Sequence, residues 1–409
     1  MNLDLKAPVT QYSLVTLSYW AFTLSDGALR MLVVLFFHQL GYSPIEIAGL
    51  LVLYELFGVI TNLYAGWLAT AIGLTVTMQV GLVLQIVALT MLVVDSSVLN
   101  VAYVMVAQAL SGIGKDLNKM GAKASIKSLV PADAQGRLYR WIALLTGSKN
   151  ALKGVGFFLG GWLLATVGFQ HAVATMAAAL SGVLILSVLL LDRTTGIAKK
   201  SQPFKHLFSK SSAVNRLSAA RFFLFGSRDI WFVVALPVFL QSQLQWNYVQ
   251  VGSMMAAWVI AYGVVQTVAP KITIIGKTVR DSNITHPSGR TAFRWVTALC
   301  LVPGAIAGGL YLADSNASTV ATSLVAGLFV FGALFAINSS IHSYLIVAYA
   351  REDGASLDVG FYYMCNAAGR LVGTLLSGLV YQQFGLGACL LLSSAMLIAT
   401  AVISKKLPG

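Results

Sequence analysis

The chain has 409 residues, of which 57% are hydrophobic and 10% charged, with mean hydropathy +0.79 and a formal net charge of +13. Soluble chains carry about a quarter charged residues, so this composition excludes a soluble globular protein and implies one that lives in a bilayer. A helical crossing takes about 20 apolar residues, and the apolar runs are too long and continuous for the roughly ten-residue alternating strands of a membrane barrel.

Taken in chain order, the runs predict twelve transmembrane helices at 13–40, 46–69, 76–94, 98–118, 138–167, 170–191, 214–241, 248–275, 291–312, 318–347, 357–383 and 386–404. The expected fold class is therefore an all-α membrane protein. The opening stretch MNLDLKAPVTQ lacks a charged region, a short apolar core and a small-residue cleavage site, so no cleavable signal peptide is expected. Cys300, Cys365 and Cys389 are scattered along predicted helices, with neither metal-ligand spacing nor an even-numbered disulfide set. They are expected to be inert core thiols, and neither a metal nor a cofactor is expected.

Lysine and arginine favour cytoplasmic loops, which tests the helix count. With the N-terminus inside, the inner segments collect Lys6, Lys119, Lys123, Lys127, Arg137, Arg193, Lys199, Lys200, Lys205, Lys210 and Arg216 from the first part of the chain. Lys271, Lys277, Arg280, Arg290, Arg294, Arg351, Lys405 and Lys406 follow on the same side, while the outer loops GYSP, DSSV, GFQ, SQLQWN, ADSNAST and FGLG contain none. That asymmetry predicts a multi-pass protein of the inner (cytoplasmic) membrane with both termini in the cytoplasm. The expected organisation is an N-terminal six-helix half at 1–192, a polar cytoplasmic linker at 193–213 and a C-terminal six-helix half at 214–409. The basic linker is expected to touch anionic lipid heads rather than nucleic acid.

The two halves repeat. A shift of 217 positions lays Lys153, Gly156, Gly160 and Gly161 over Arg370, Gly373, Ser377 and Gly378, and Gly168 over Gly385. Helix five thus matches helix eleven, cation on cation and small residue on small residue. Two six-helix halves related in this way resemble the major facilitator superfamily, which implies a central cavity near the midplane. The loop that superfamily members often carry between helices two and three, G-x-L-A-D-R-x-G-R-R, survives only as GWLATAIGLT at 66–75, with Thr70, Ala71, Leu74 and Thr75 in place of its charges.

A short list of charges is left inside the spans. Helix one carries Asp26 and Arg30, helix two Glu55, and helix four Lys115 and Asp116. Helix five carries Arg140, Lys149 and Lys153, helix seven Arg221, Arg228 and Asp229, and helix eleven Arg370. Each charge at the bilayer centre costs about 2.5–3.5 kcal/mol even on the lenient insertion scale, so these groups must face protein or water. Residues four apart share a helix face, as do Asp26/Arg30, Lys149/Lys153, Asn338/His342 and Asn366/Arg370; Glu55/Asn62 and Arg221/Arg228, seven apart, lie roughly so.

Two readings of Asp26 and Arg30 stand side by side: a closed intrahelical ion pair that only orients helix one, and a substrate role. Lys115, Lys119, Lys123 and Lys127 read as a solvated or lipid-head stripe with Lys115 its deepest member, and Arg140 and Arg221 as side chains that snorkel to the cytoplasm. His342 reads as a hydrogen-bonded packing residue before a proton carrier, and Tyr362 and Tyr363 as packing residues. Lys149 and Lys153 fit a structural role worst, since no acid neighbours them on their own helix and like charges four apart repel. The expected site therefore holds a polyanionic small molecule between Arg30, Lys149, Lys153, Arg228 and Arg370, with Asn366, Asn338 and His342 beside them. Asp26, Glu55, Asp116, Asp229 and Lys115 are the candidates for proton coupling or ion pairing.

The stretches YWAFTLSDGALRMLV (19–33), FFHQLGYSP (36–44), QALSGIGKDLNKM (108–120), ALLTGSKNALKGVGFFLGG (143–161) and SAARFFLFGSRDIWFVVALPVFL (218–240) hold most of these charges. Through them the whole chain resembles the arsenic-resistance permeases called ArsJ. The resemblance implies efflux of 1-arseno-3-phosphoglycerate, the product glyceraldehyde-3-phosphate dehydrogenase makes when arsenate replaces phosphate, and hence arsenate resistance. A phosphate and an arsenate group at the two ends of one molecule suit a cavity rich in cations. Another organophosphate or organic-anion carrier would use the same cations, whereas a proton-coupled multidrug exporter would show a mainly apolar cavity with an isolated acid. An enzyme is not expected: there is no H-E-x-x-H or G-x-S-x-G, and the His and Cys residues are dispersed. A channel would want rings of identical groups around its pore.

Overall fold

The structure is a computed structural model that describes residues 7–129, 135–191, 211–274, 288–312, 317–350 and 355–408. The charged linker at 193–210 and the side chains of Lys123, Lys127 and Arg140 lie outside the described residues. The elements are α1 (Pro8–Gln39), α2 (Pro44–Ile72), α3 (Leu74–Met91), α4 (Val101–Leu129), α5 (Gln135–Leu190), α6 (Ser212–Phe232), α7 (Ala235–Ser242), α8 (Tyr248–Ile274), α9 (Gly289–Leu312), α10 (Ala317–Tyr349) and α11 (Ala355–Ser404). No strand occurs among the described residues. Each of the twelve predicted spans has its helix, because α5 and α11 each contain two arms and α6 with α7 make one crossing.

The arms of α5 meet at Gly168 (φ 78°, ψ 175°) and those of α11 at Gly385 (φ 76°, ψ −175°). These are the two glycines that the internal repeat superposes, and both adopt a backbone conformation that is essentially closed to residues with a Cβ. The expected loops GFQ and FGLG are thus reduced to one residue each. Between α2 and α3 the expected loop at 66–75 is also nearly all helix, interrupted at Gly73 (φ 91°).

The seventh predicted span is not one helix. It breaks after Phe232 and resumes at Ala235. Pro237 explains the position, since a proline has no N–H for the carbonyl four residues earlier and its ring collides with it; that carbonyl belongs to Val233. The freed N–H groups of Val234 and Ala235 donate to the Ser377 hydroxyl at 3.2 and 3.0 Å. Ser377 occupies the α11 position that the repeat matches to Gly160.

The described residues fall into two compact units. The first draws on Met1–Phe36, Leu53–Phe204 and Tyr248–Ala256, the second on Phe37–Val52, Lys205–Asn247 and Ala257–Gly409. In the first unit Gly156 and Gly160 of α5 lie on the backbone of α1: a Cβ there would come 2.6 Å from the Leu24 carbonyl oxygen and 2.5 Å from that of Ala28. In the second unit Gly373 of α11 lies on α6, where a Cβ would come 2.7 Å from the Gly226 carbonyl oxygen. Gly161 likewise backs onto Tyr248 at the start of α8, and Gly378 onto Pro44 at the start of α2. Small residues in this register are how helices pack closely in lipid, where van der Waals contact replaces a hydrophobic driving force. These contacts carry the first turns of α8 into the first unit and those of α2 into the second.

The core of the second unit is aromatic. Trp231 meets Trp258 and Phe331 edge-on at 5.6 and 5.1 Å, and Trp258 stacks on Tyr262 at 5.9 Å. The Trp258 indole donates to the Leu328 carbonyl at 2.7 Å, so its one polar atom is satisfied.

A Cβ at position 385 would meet nothing within 4 Å, so any penalty there is conformational alone. Gly385→Ala is expected to cost about 1–3 kcal/mol, read as a lowered thermal unfolding temperature in detergent. Gly308→Ala, in the equally open interior of α9 with an ordinary helical backbone, is expected to leave that temperature unchanged or raise it.

Candidate functional site

In the first unit the charges of α1 pair with α2 rather than with each other. Arg30 of α1 donates to Glu55 of α2 at 2.5 Å, with side-chain exposures of 9% and 1%. Asp26, also buried, instead accepts a hydrogen bond from the Tyr54 hydroxyl at 2.5 Å. The closed Asp26–Arg30 pair is therefore not formed. The reason is geometric: α2 presents Tyr54 and Glu55 in succession, and each reaches one of the two groups on α1. The Tyr54 ring also carries two cations, the Arg30 guanidinium at 4.7 Å and the Lys115 ammonium at 4.1 Å from its centroid, a favourable placement over the ring's negative face.

Asp116 of α4 is buried and holds Lys119 at 2.7 Å and Lys115 at 3.8 Å. Lys119 also donates to Asn62 of α2 at 3.0 Å. The expectation that Lys119 faces solvent or lipid heads is corrected: it joins α4 to α2.

Lys149 and Lys153 are half-buried on α5. With Gly156 and Gly160 they follow a 4-3-4 spacing, so they share the stripe that backs α1. The Trp20 indole of α1 donates to Ser148 at 2.8 Å, and a Cβ on Gly27 would come 2.9 Å from the Lys153 carbonyl oxygen. The Lys153 ammonium lies 5.6 Å from the centre of the Phe157 ring.

The second unit repeats the frame with different charges. Asp229 of α6 is fully buried and accepts from both Arg228 (Nε, 2.6 Å) and Arg370 of α11 (Nε, 3.0 Å). Arg228 also sits among Phe225, Phe335 and Phe232, 4.9, 5.5 and 5.8 Å from their ring centres. A Cβ on Gly156 would lie nearest the Leu24 carbonyl oxygen and Gly27 of α1, and one on Gly373 nearest the Gly226 carbonyl oxygen and Asp229 of α6, which places Gly27 where the second unit has Asp229. The α11 stripe thus meets a carboxylate where the α5 stripe meets a glycine, with Arg30 three residues further along α1.

Arg221 does not snorkel. It is 5% exposed, donates through Nε to Asn366 at 2.9 Å and to the Ser339 carbonyl at 3.2 Å, and lies 3.9 Å from the centre of the Phe225 ring. Asn338 and His342 of α10 are fully buried. Asn338 donates to the Leu334 carbonyl at 2.9 Å, while its oxygen and both nitrogens of His342 have no hydrogen-bond partner among the described residues. Tyr362 is fully buried and packs edge-on to Tyr363 at 5.4 Å. Sequence reasoning missed Tyr54, Ser339 and the buried Asp358; an uncharged or loop-edge residue gives no sign of its depth.

Asp229 holds two cations at once, so its loss strands both. Asp229→Asn is expected to destabilise the protein by roughly 3 kcal/mol, measured as a fall in thermal unfolding temperature, and adding Arg370→Gln to that variant is expected to recover part of the loss.

The sequence profile of the Major Facilitator Superfamily matches residues 15–280. No curated protein sequence matches this chain. Among solved structures, the crystal structure of a D-xylose-proton symporter is similar, with a TM-score of 0.68 at 14% sequence identity over 97% of each chain. At that identity the likeness speaks for the fold, and it extends across the part of the chain that the profile leaves out. Topology, internal repeat and profile agree: the chain is a multi-pass membrane protein that belongs to the major facilitator superfamily of secondary transporters.

Proposed function

We propose that this transporter exports a polyanionic small molecule from the cytoplasm by alternating access, and that the molecule is 1-arseno-3-phosphoglycerate, so that export confers arsenate resistance. The observation that carries the reading is the placement of Lys149 and Lys153 on the stripe of α5 that backs α1, where the counterpart of Asp229 is Gly27 and Arg30 follows three residues on. An oxyanion arriving there meets positive charge on both helices. Lysine supplies a point charge and arginine a fork of donors, both suited to phosphate and arsenate oxygens. The substrate itself is supported by the resemblance of the charged stretches to the ArsJ permeases. On this reading glyceraldehyde-3-phosphate dehydrogenase supplies the cargo, and the protein sits in the inner membrane with both termini in the cytoplasm.

Moving one charge across 100 mV is worth about 2.3 kcal/mol. A trivalent anion leaving an inside-negative cell gains roughly three times that, which suffices for facilitated export. Hydrolysis of the acyl arsenate outside maintains the gradient. Proton exchange is a second reading, favoured by Asp26: it is buried, and among the described residues its partner is a tyrosine hydroxyl, with no cation within 4.0 Å.

Everted vesicles test both. The ester is generated outside them from glyceraldehyde 3-phosphate, NAD and arsenate by the dehydrogenase, and arsenic and phosphate accumulating together are counted. Wild-type vesicles are expected to accumulate both, and Lys153→Ala vesicles at least about tenfold less at equal amounts of inserted protein. Undiminished uptake by Lys153→Ala overturns the site, and uptake of arsenate without the ester overturns the substrate. With the potential clamped to zero, uptake that persists on a proton gradient and fails in Asp26→Asn establishes exchange; uptake that collapses establishes uniport.

A further inference from the structure

We infer that Arg221, rather than Arg228 or Arg370, is the guanidinium of the second unit that receives an oxyanion of the cargo, and that Asn338 and His342 beside it read a neighbouring hydroxyl. The inference rests on the organic-anion reading above and names the group that does the binding. Arg228 and Arg370 share the Asp229 carboxylate, so an incoming anion must compete with a fixed one there. Arg221 has no such competitor: among the described residues no carboxylate lies within 4.0 Å of it, and its hydrogen bonds go to the amide oxygen of Asn366 and the carbonyl of Ser339. Two of the guanidinium's five N–H groups are thereby used, both by neutral acceptors. A cation that is 5% exposed and meets only neutral acceptors gains most from an anion.

The surroundings are polar in a way packing does not require. Four helices contribute: Arg221 from α6, Tyr262 from α8, Asn338, Ser339 and His342 from α10, and Asn366 from α11. The Tyr262 hydroxyl donates to the Ser339 hydroxyl at 3.2 Å, and Asn338 and His342 flank Ser339 on the turn of α10 whose carbonyl accepts from Arg221. The Asn338 oxygen and both His342 nitrogens are fully buried without a hydrogen-bond partner among the described residues. Residues 338 and 342 are one helical turn apart on one face. A buried polar atom left unsatisfied is costly, and three on the turn of α10 that holds the Arg221 guanidinium describe a site made for a ligand. The donors left on Arg221 take an oxyanion in forked fashion, a neutral imidazole offers one donor and one acceptor, and the amide oxygen accepts from a hydroxyl. The ligand class is an organic phosphate, arsenate or carboxylate with a hydroxyl on the adjoining carbon.

The test uses the full chain in nanodiscs with two stable probes: 3-phosphoglycerate, and 3-phosphonooxypropanoate, which lacks the hydroxyl. Arg221→Lys and Arg221→Gln, each eluting as a single folded species, are expected to bind 3-phosphoglycerate roughly ten- to a hundredfold more weakly than wild type. Asn338→Leu is expected to erase the preference for 3-phosphoglycerate over the second probe. Wild-type affinity in both Arg221 variants, with a lowered melting temperature or without one, makes Arg221 a structural clamp and overturns the inference; loss of binding in Arg370→Gln alongside it leaves the organic-anion reading standing. A wild-type protein that saturates with neither probe overturns the organic-anion reading and the inference with it.

Discussion

Backbone contact between α5 and α1, and between α11 and α6, decides which helix the cations of α5 and α11 lie against. Glycine at 156 and 160, and at 373, lets two helices approach until a methyl group would collide with a carbonyl oxygen. In lipid such contact replaces the hydrophobic drive that holds soluble helices together. It also takes away choice. A cation one turn from the glycines, Lys153 or Arg370, shares the stripe that faces the neighbouring helix. What that helix offers decides whether the cation serves structure or cargo.

The two units answer differently on the same frame. In the second, Asp229 neutralises part of the charge and is itself enclosed by Arg228 and Arg370. In the first, Gly27 occupies the matching place, and Arg30, three residues on, is bound to Glu55. Buried ion pairs add little net stability, because desolvation offsets attraction, but losing one partner is severe. The pairs therefore hold α1 to α2 and α6 to α11 in fixed registers.

Much of this was legible before any coordinates. Apolar runs located all twelve crossings, and the repeat paired Gly168 with Gly385 because a reversal that short admits only glycine. Spacing failed where the answer lay on another helix. Along α1, Asp26 and Arg30 are neighbours, yet Tyr54 and Glu55 of α2 separate them, and a one-dimensional pattern holds no information about which residues α2 brings opposite. Arg221 lies about 14 Å into α6 at 1.5 Å per residue, near enough to the end to suggest snorkelling, but Asn366 and Ser339 hold it inside. The break before α7 was visible in Pro237 and was outweighed by an unbroken apolar run. Its exact partner, Ser377, sits 140 residues away, roughly counted, and only the fold could supply it.

That break has a mechanical consequence. The two amides exposed by Pro237 rest on a single hydroxyl belonging to α11, and no water waits in hydrocarbon to replace it. Bending the Ala235–Ser242 segment of this crossing independently would leave both amides bare, so the low-energy way to bend is to bring α11 along. The proline and the serine together make a geared joint, in which tilt at one crossing is handed to the next.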